Sequence, residues 1–125
     1  MSSIKIDSVS ELKDPKFVKP IQINYTIQEQ KRIWEAVIAY DNVAILLWHE
    51  DKRSFVLVKQ FRPPVFNSNK TDGMMYELCA GLVDKDASNI QIAKEEILEE
   101  CGYDVPLENI QVVTKFYTSV GISGT

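Results

Sequence analysis

Positive charge is in short supply: 14 Lys and Arg stand against 18 Asp and Glu, for a formal charge of −4. That balance leaves no electrostatic footprint for nucleic acid or an anionic membrane surface. No apolar run approaches the ~20 residues needed to span a bilayer. The opening M-S-S-I-K-I-D lacks the apolar stretch of a secretory leader. Cysteine is scarce too. Cys79 and Cys101 form no C-x-x-C and fall at apolar positions, so reduced core thiols in the cytoplasm are expected rather than a disulfide. The single histidine, His49, has no second His or Cys nearby and reads as a surface residue. What remains is 125 residues, 45% hydrophobic and 26% charged, which fits one globular domain with a modest core.

The most informative stretch runs from Ala80 to Asp104. Its second half predicts one short helix. Ser88 is the N-cap, Gln91 completes a capping-box pattern, and Gly102 supplies a left-handed stop. At about 100° per residue, Ile90, Ala93, Ile97, Leu98 and Cys101 form an apolar arc, with Glu95, Glu96, Glu99 and Glu100 on the other side. A solvated acidic face is the plain reading. Against it, Glu95/Glu99 and Glu96/Glu100 are like-charge pairs that cost ~0.2–0.5 kcal/mol each. Glu99 and Glu100 also oppose the helix dipole, and no Lys or Arg stands one turn away. Such a helix is expected to hold something positive, and oxygen donors favour a hard divalent ion such as Mg²⁺ or Mn²⁺.

The stretch resembles the Nudix hydrolase signature, G-x5-E-x7-R-E-U-x-E-E-x-G-U, with U a bulky apolar residue. Gly81, Glu96, Ile97, Glu99, Glu100, Gly102 and Tyr103 fall at its offsets. Ala87 stands where the signature has its first glutamate, and Glu95 where it has arginine. Those two family side chains commonly pair, and losing both strands no buried charge. A calcium-loop register competes, with Asp84, Asp86, Ser88 and Glu95 at positions 1, 3, 5 and 12. It has Asn89 where glycine is required and is preceded by a strand-like E-L-C-A-G-L-V, so the hydrolase register is preferred.

Upstream, 1–15 reads as irregular. A strand is expected from Phe17 to about Thr26, then a polar turn at Gln28–Gln30 and an antiparallel partner over Ile33–Ile38. This front section resembles the dimerisation sheet of the family's ADP-ribose and UDP-sugar branches, giving a division into 1–40 and a core at 41–125. Val43–Trp48 and Ser54–Phe61 read as strands covered on both faces. Pro63–Gly73 reads as a loop, Met74–Cys79 as a strand and Asn109–Tyr117 as another. The fold class expected is α/β, a Nudix-type α/β/α sandwich around a mixed sheet. Thr118–Thr125 resembles a segment after which relatives continue, so C-terminal elements of the family's domain are expected to be missing.

The resemblance is nearest to the UDP-sugar pyrophosphatase branch, which overlaps with ADP-ribose pyrophosphatases. It implies metal-dependent hydrolysis of a nucleoside diphosphate sugar, for instance UDP-glucose to UMP and glucose 1-phosphate, by a homodimer. It also implies site roles: metal held by Glu96, Glu99, Glu100 and the Ala80 carbonyl, with Glu99 and Glu100 as catalytic candidates. Arg62, in K-Q-F-R-P, would grip the pyrophosphate, and Glu77, in E-L-C-A-G, would hydrogen-bond in the site. Lys59 is a weaker candidate for substrate contact. The alternatives are a weakly catalytic domain that binds metal and nucleotide sugar or pairs with a full-length copy, and an interaction domain whose acidic helix is merely solvated.

Overall fold

The computed structural model describes residues 3–69 and 71–125. Met1, Ser2 and Lys70, which fall in the expected irregular start and the expected loop, lie outside the described residues. Regular structure begins with a hairpin, β1 (Lys19–Ile27) against β2 (Gln30–Ile38), in the register Ile21↔Ala36 and Ile23↔Trp34. Its two-residue turn is Gln28-Glu29, with both residues at positive φ, 49° and 63°. That is the backbone a tight hairpin needs to match strand twist, although glycine or asparagine adopts it more readily. The expected strand, turn and partner are therefore all present.

Three longer strands follow, each bent at a leucine where it changes partner. The first is β3 (Asn42–Ile45) and β4 (Leu47–His49), broken at Leu46. The second is β5 (Ser54–Val56) and β6 (Val58–Phe61), broken at Leu57. The third is β7 (Met74–Glu77) and β8 (Cys79–Leu82), broken at Leu78. β4 pairs with β5, β6 with β7, and β8 returns to β3, each antiparallel. The cycle of ladders brings the end of the third strand beside the start of the first. Only one face of it is packed: Leu46, Trp48, Phe55 and Leu57 are all exposed, against the expectation of two covered faces. Apolar runs report composition, not which element lies over each face, and among the described residues one helix, Asn89–Glu96, covers one side.

The helix α2 (Asn89–Glu96) starts where expected, with the Ser88 hydroxyl accepting the Gln91 N–H at 3.2 Å. The capping box is half made, because the Gln91 amide turns to Glu95 instead of back to the cap. The last turn, Ile97–Cys101, widens to a π-helix before Gly102 stops it at φ 77°. The buried core is Cys79, Ile92, Ala93 and Ile97. Burying each isoleucine is worth ~1.5–3 kcal/mol. Thus the apolar arc is rotated from the expected one: Ile92 is 1% exposed and Leu98 51%. The face that meets β8 and β3 runs through Ile92, and the π-turn changes the angular step beyond Ile97.

Two further expectations are corrected. Pro63–Asn69 forms a short helix, α1, inside the stretch read as a loop. Proline has its fixed φ compatible with a first turn, and Phe66 docks edge-on against Phe61 with ring centroids 5.4 Å apart. Asn109–Tyr117 is not a strand. A 3₁₀ turn spans Leu107–Asn109, and Val112, Val113, Phe116 and Tyr117 are all exposed. The β-forming composition is present, but no described strand offers it a ladder. Finally, the Val37 N–H and Trp34 Nε1–H donate to the Ile122 and Gly121 carbonyls, both at 2.8 Å, tying the last residues to the hairpin.

Candidate active site

The β8–α2 connection carries the acidic residues singled out from the sequence. Gly81 on β8 lies directly beneath Glu96, and any Cβ at that position would collide with the Glu96 side chain. This close approach is the reason for glycine there, not its φ. It also corrects the expectation that all four glutamates share the outer side, since Glu96 is half-buried against the strand. Burial raises the Glu96 pKa above the ordinary carboxylate range, and the neighbouring charges of Glu99 and Glu100 push it further the same way. Glu100 reaches back to β8, where the Ala80 N–H donates to its Oε2 at 3.4 Å. Glu99 and Glu100 both lie in the π-helical turn, a feature often found at functional sites and one that the helical periodicity gave no sign of.

Glu95 takes no part in this group. It forms an ion pair with Lys85, ten residues earlier in sequence, and accepts from Gln91. Lys85 is the cation that local spacing could not reveal, and its charge also opposes the rise at Glu96. The pairing ties up the residue that would close a calcium loop at position 12. It also gives the loop–helix link an acid on the helix and a base on the loop.

Beside the carboxylates, Arg62 follows β6 and Glu77 ends β7. Their contact is two-pronged: Arg62 Nε–H and Nη2–H donate to Glu77 Oε2 and Oε1 at 2.7 and 2.8 Å. The bond to Arg62 is the main cause that holds the Glu77 carboxyl below its ordinary range. In turn, Glu77 raises the Arg62 pKa, and the charge of Glu100 adds a smaller push. Lys59 lies over the Tyr76 ring, 5.3 Å from its centroid, which occupies it in a cation–π contact. His49 is half-buried instead of a plain surface residue: its Nδ1 accepts the Lys52 N–H at 3.2 Å and its ring meets Tyr103 edge-on. Cys79 and Cys101 are free thiols, and burial drives the Cys79 thiol far above its ordinary range, with Cys101 adding.

Among the described residues, no three His, Cys, Asp or Glu side chains close into a group that would hold a metal ion. The donor set still fits one in kind. Glu96 carries a charge that its like-charged neighbours disfavour, and an all-oxygen set of this sort suits a hard divalent cation. No helix of the described residues is long and apolar enough to cross a membrane.

Sequence comparison finds proteins similar to this chain. The chain is 29% identical over 135 aligned positions to uridine diphosphate glucose pyrophosphatase NUDT14 of Bos taurus, covering 87% of this chain and 61% of that one. The Mus musculus protein of the same name is 28% identical over the same shares. GDP-mannose pyrophosphatase of Cronobacter sakazakii is 42% identical over 81 positions, 65% of this chain and 41% of its own. No family model matches the chain. The chain thus spans less than two thirds of the length of these relatives. All three are named as sugar-nucleotide pyrophosphatases. The residues Gly81, Glu96, Glu99, Glu100 and Gly102 keep the register of the Nudix signature that the stretch resembles, and the chain is similar in sequence to these pyrophosphatases.

Proposed function

We propose that the chain carries out metal-dependent hydrolysis of the pyrophosphate bond in nucleoside diphosphate sugars, with UDP-glucose, GDP-mannose and ADP-ribose as candidate substrates. The observation that supports it best is the seating of Glu96 over Gly81 with Glu100 on the Ala80 N–H, next to the Arg62–Glu77 pair. Glu96, Glu99, Glu100 and the Ala80 carbonyl are the groups that would hold Mg²⁺ or Mn²⁺. Bound there, a divalent ion supplies charge neutralisation at the diphosphate and acidifies a water. The chain's own residues do the rest. Arg62 binds phosphate oxygens, as a planar guanidinium suits, with Glu77 beside it. Glu99 and Glu100 are the candidates for orienting the attacking water and accepting its proton.

In this reading the ladders and α2 belong to an α/β/α sandwich with a mixed sheet. Residues 41–125 form the core and 1–40 a dimerisation sheet of a cytoplasmic homodimer, with neither nucleic acid nor membrane as a partner. Turnover of the three sugar nucleotides with and without Mg²⁺ tests the activity. Activity that needs the metal, and disappears in Glu100→Gln, is expected. A second reading, a domain that binds nucleotide sugar with little turnover, is favoured by the lack of a closed three-carboxylate group among the described residues. Calorimetric binding of UDP-glucose without product would establish it in place of the first.

A further inference from the structure

Arg62 is anchored at both ends. Its backbone N–H donates to the Gly73 carbonyl at 2.8 Å, and its side chain is held side-on by both oxygens of Glu77. The ladder register puts Phe61 opposite Met74 and Val58 opposite Glu77, so Arg62 and Glu77 belong to opposite ends of β6–β7. The arginine side chain must therefore lie back along the strand to reach its partner. A simple staple between strands has no need of this, since the ladder is already fixed by four register pairs. Free arginine samples many rotamers, and holding one in advance reduces what ordering costs on binding. The side-on grip takes Nε–H and one edge of Nη2, leaving the N–H groups at Nη1 and the far edge of the fork unspent.

We propose that Glu77 is a positioning residue and not a substrate ligand: it clamps the Arg62 guanidinium so that its remaining N–H groups form a preset cradle for a diphosphate. The inference rests on the proposed function only in taking Arg62 as the diphosphate ligand. Both groups are partly exposed, 43% and 31% by side chain, so the pair is within reach of a dissolved ligand. The carboxylate donates nothing and would repel phosphate if it faced it directly. Its place is behind the guanidinium.

The test is calorimetric binding of UDP with Mg²⁺, alongside turnover of UDP-glucose, for the unaltered chain, Glu77→Gln, Glu77→Ala, Arg62→Lys and Glu77→Gln/Arg62→Lys. Weakening of UDP binding by ten- to a hundredfold is expected in Glu77→Ala, with partial retention in Glu77→Gln, whose amide oxygen still accepts one N–H. In the Arg62→Lys background Glu77→Gln should do nothing further, because an ammonium has no plane to orient. KM should rise more than kcat falls. A direct ligand or a mere staple would instead give additive losses, or unchanged binding with a lower melting temperature, and either result overturns the proposal. Should Glu77→Ala fail to fold, Glu77→Gln and the double variant decide it. If the unaltered chain binds and hydrolyses UDP-glucose while Glu77→Gln matches it, only the clamp is lost. If the unaltered chain binds no UDP, the function and the clamp fall together.

Discussion

The β8–α2 unit and the β1–β2 hairpin are built from similarly apolar sequence and end up in opposite situations. In the first, Cys79, Ile92 and Ile97 are at most 1% exposed. In the second, Ile23, Ile27, Ile33, Trp34 and Ile38 are all exposed, although the ladder is complete over nine register pairs. Backbone pairing alone thus specifies the hairpin's register without giving it a core, whereas the helix gets its stability from packing. The site residues sit on the packed unit, where small displacements of Glu96 are resisted by Gly81 below it.

Core truncation should separate the two regions most sharply. Ile97→Ala is expected to cost ~2–5 kcal/mol, as for buried large-to-small changes, while Ile33→Ala in an isolated chain costs within ~0.5 kcal/mol. Equilibrium denaturation measures both. A loss at Ile33 that grows with protein concentration would mean the hairpin is covered by a second copy, as proposed. Millimolar Mg²⁺ should stabilise the native state by binding to it, by ~2.7 kcal/mol at a hundred times Kd, read as a rise in melting temperature. That gain should vanish in Glu96→Gln and in Gly81→Ala, and persist in Gly102→Ala, whose added methyl meets open space and is strained only through its φ.

Removing the helix cap with Ser88→Ala should cost ~1 kcal/mol. The pH dependence is smaller and carries two opposite signs. Glu77 is depressed by Arg62, so its contribution is present above the ordinary carboxylate value of 4.5 and is lost as pH falls through the lower folded value. Exposure of the pair keeps this below ~1 kcal/mol. Glu96 is raised by burial and by Glu99 and Glu100, so protonating it between its folded value and 4.5 favours the native state as pH falls. Arg62→Met should flatten the acid loss below pH 4.5, and Glu96→Gln should remove the gain above it, both read from denaturation midpoints across pH.

Much of the unit that carries the site was legible because its signals are short-range. Ser88 caps within three residues and Gly102 stops the helix through its own φ. The same locality explains the hairpin. Apart from the π-turn at Ile97–Cys101 and the short helix α1, the failures are at longer range. Lys85 meets Glu95 only because the loop folds back, and Arg62 finds Glu77 only across the ladder. The strand expected over Asn109–Tyr117 had the right residues and lacked a described partner. α1 depended on Phe66 finding Phe61, which composition does not encode.

The sequence by itself determined the helix ends and the hairpin turn, because capping and strand alternation act between near neighbours along the chain. Only the tertiary structure decided which helix face is buried, that Glu96 is pressed against Gly81, and which cation answers each carboxylate. Those depend on where separate segments meet, and the free energy of burial and of ion pairing is set by that meeting, not by the residues taken one stretch at a time.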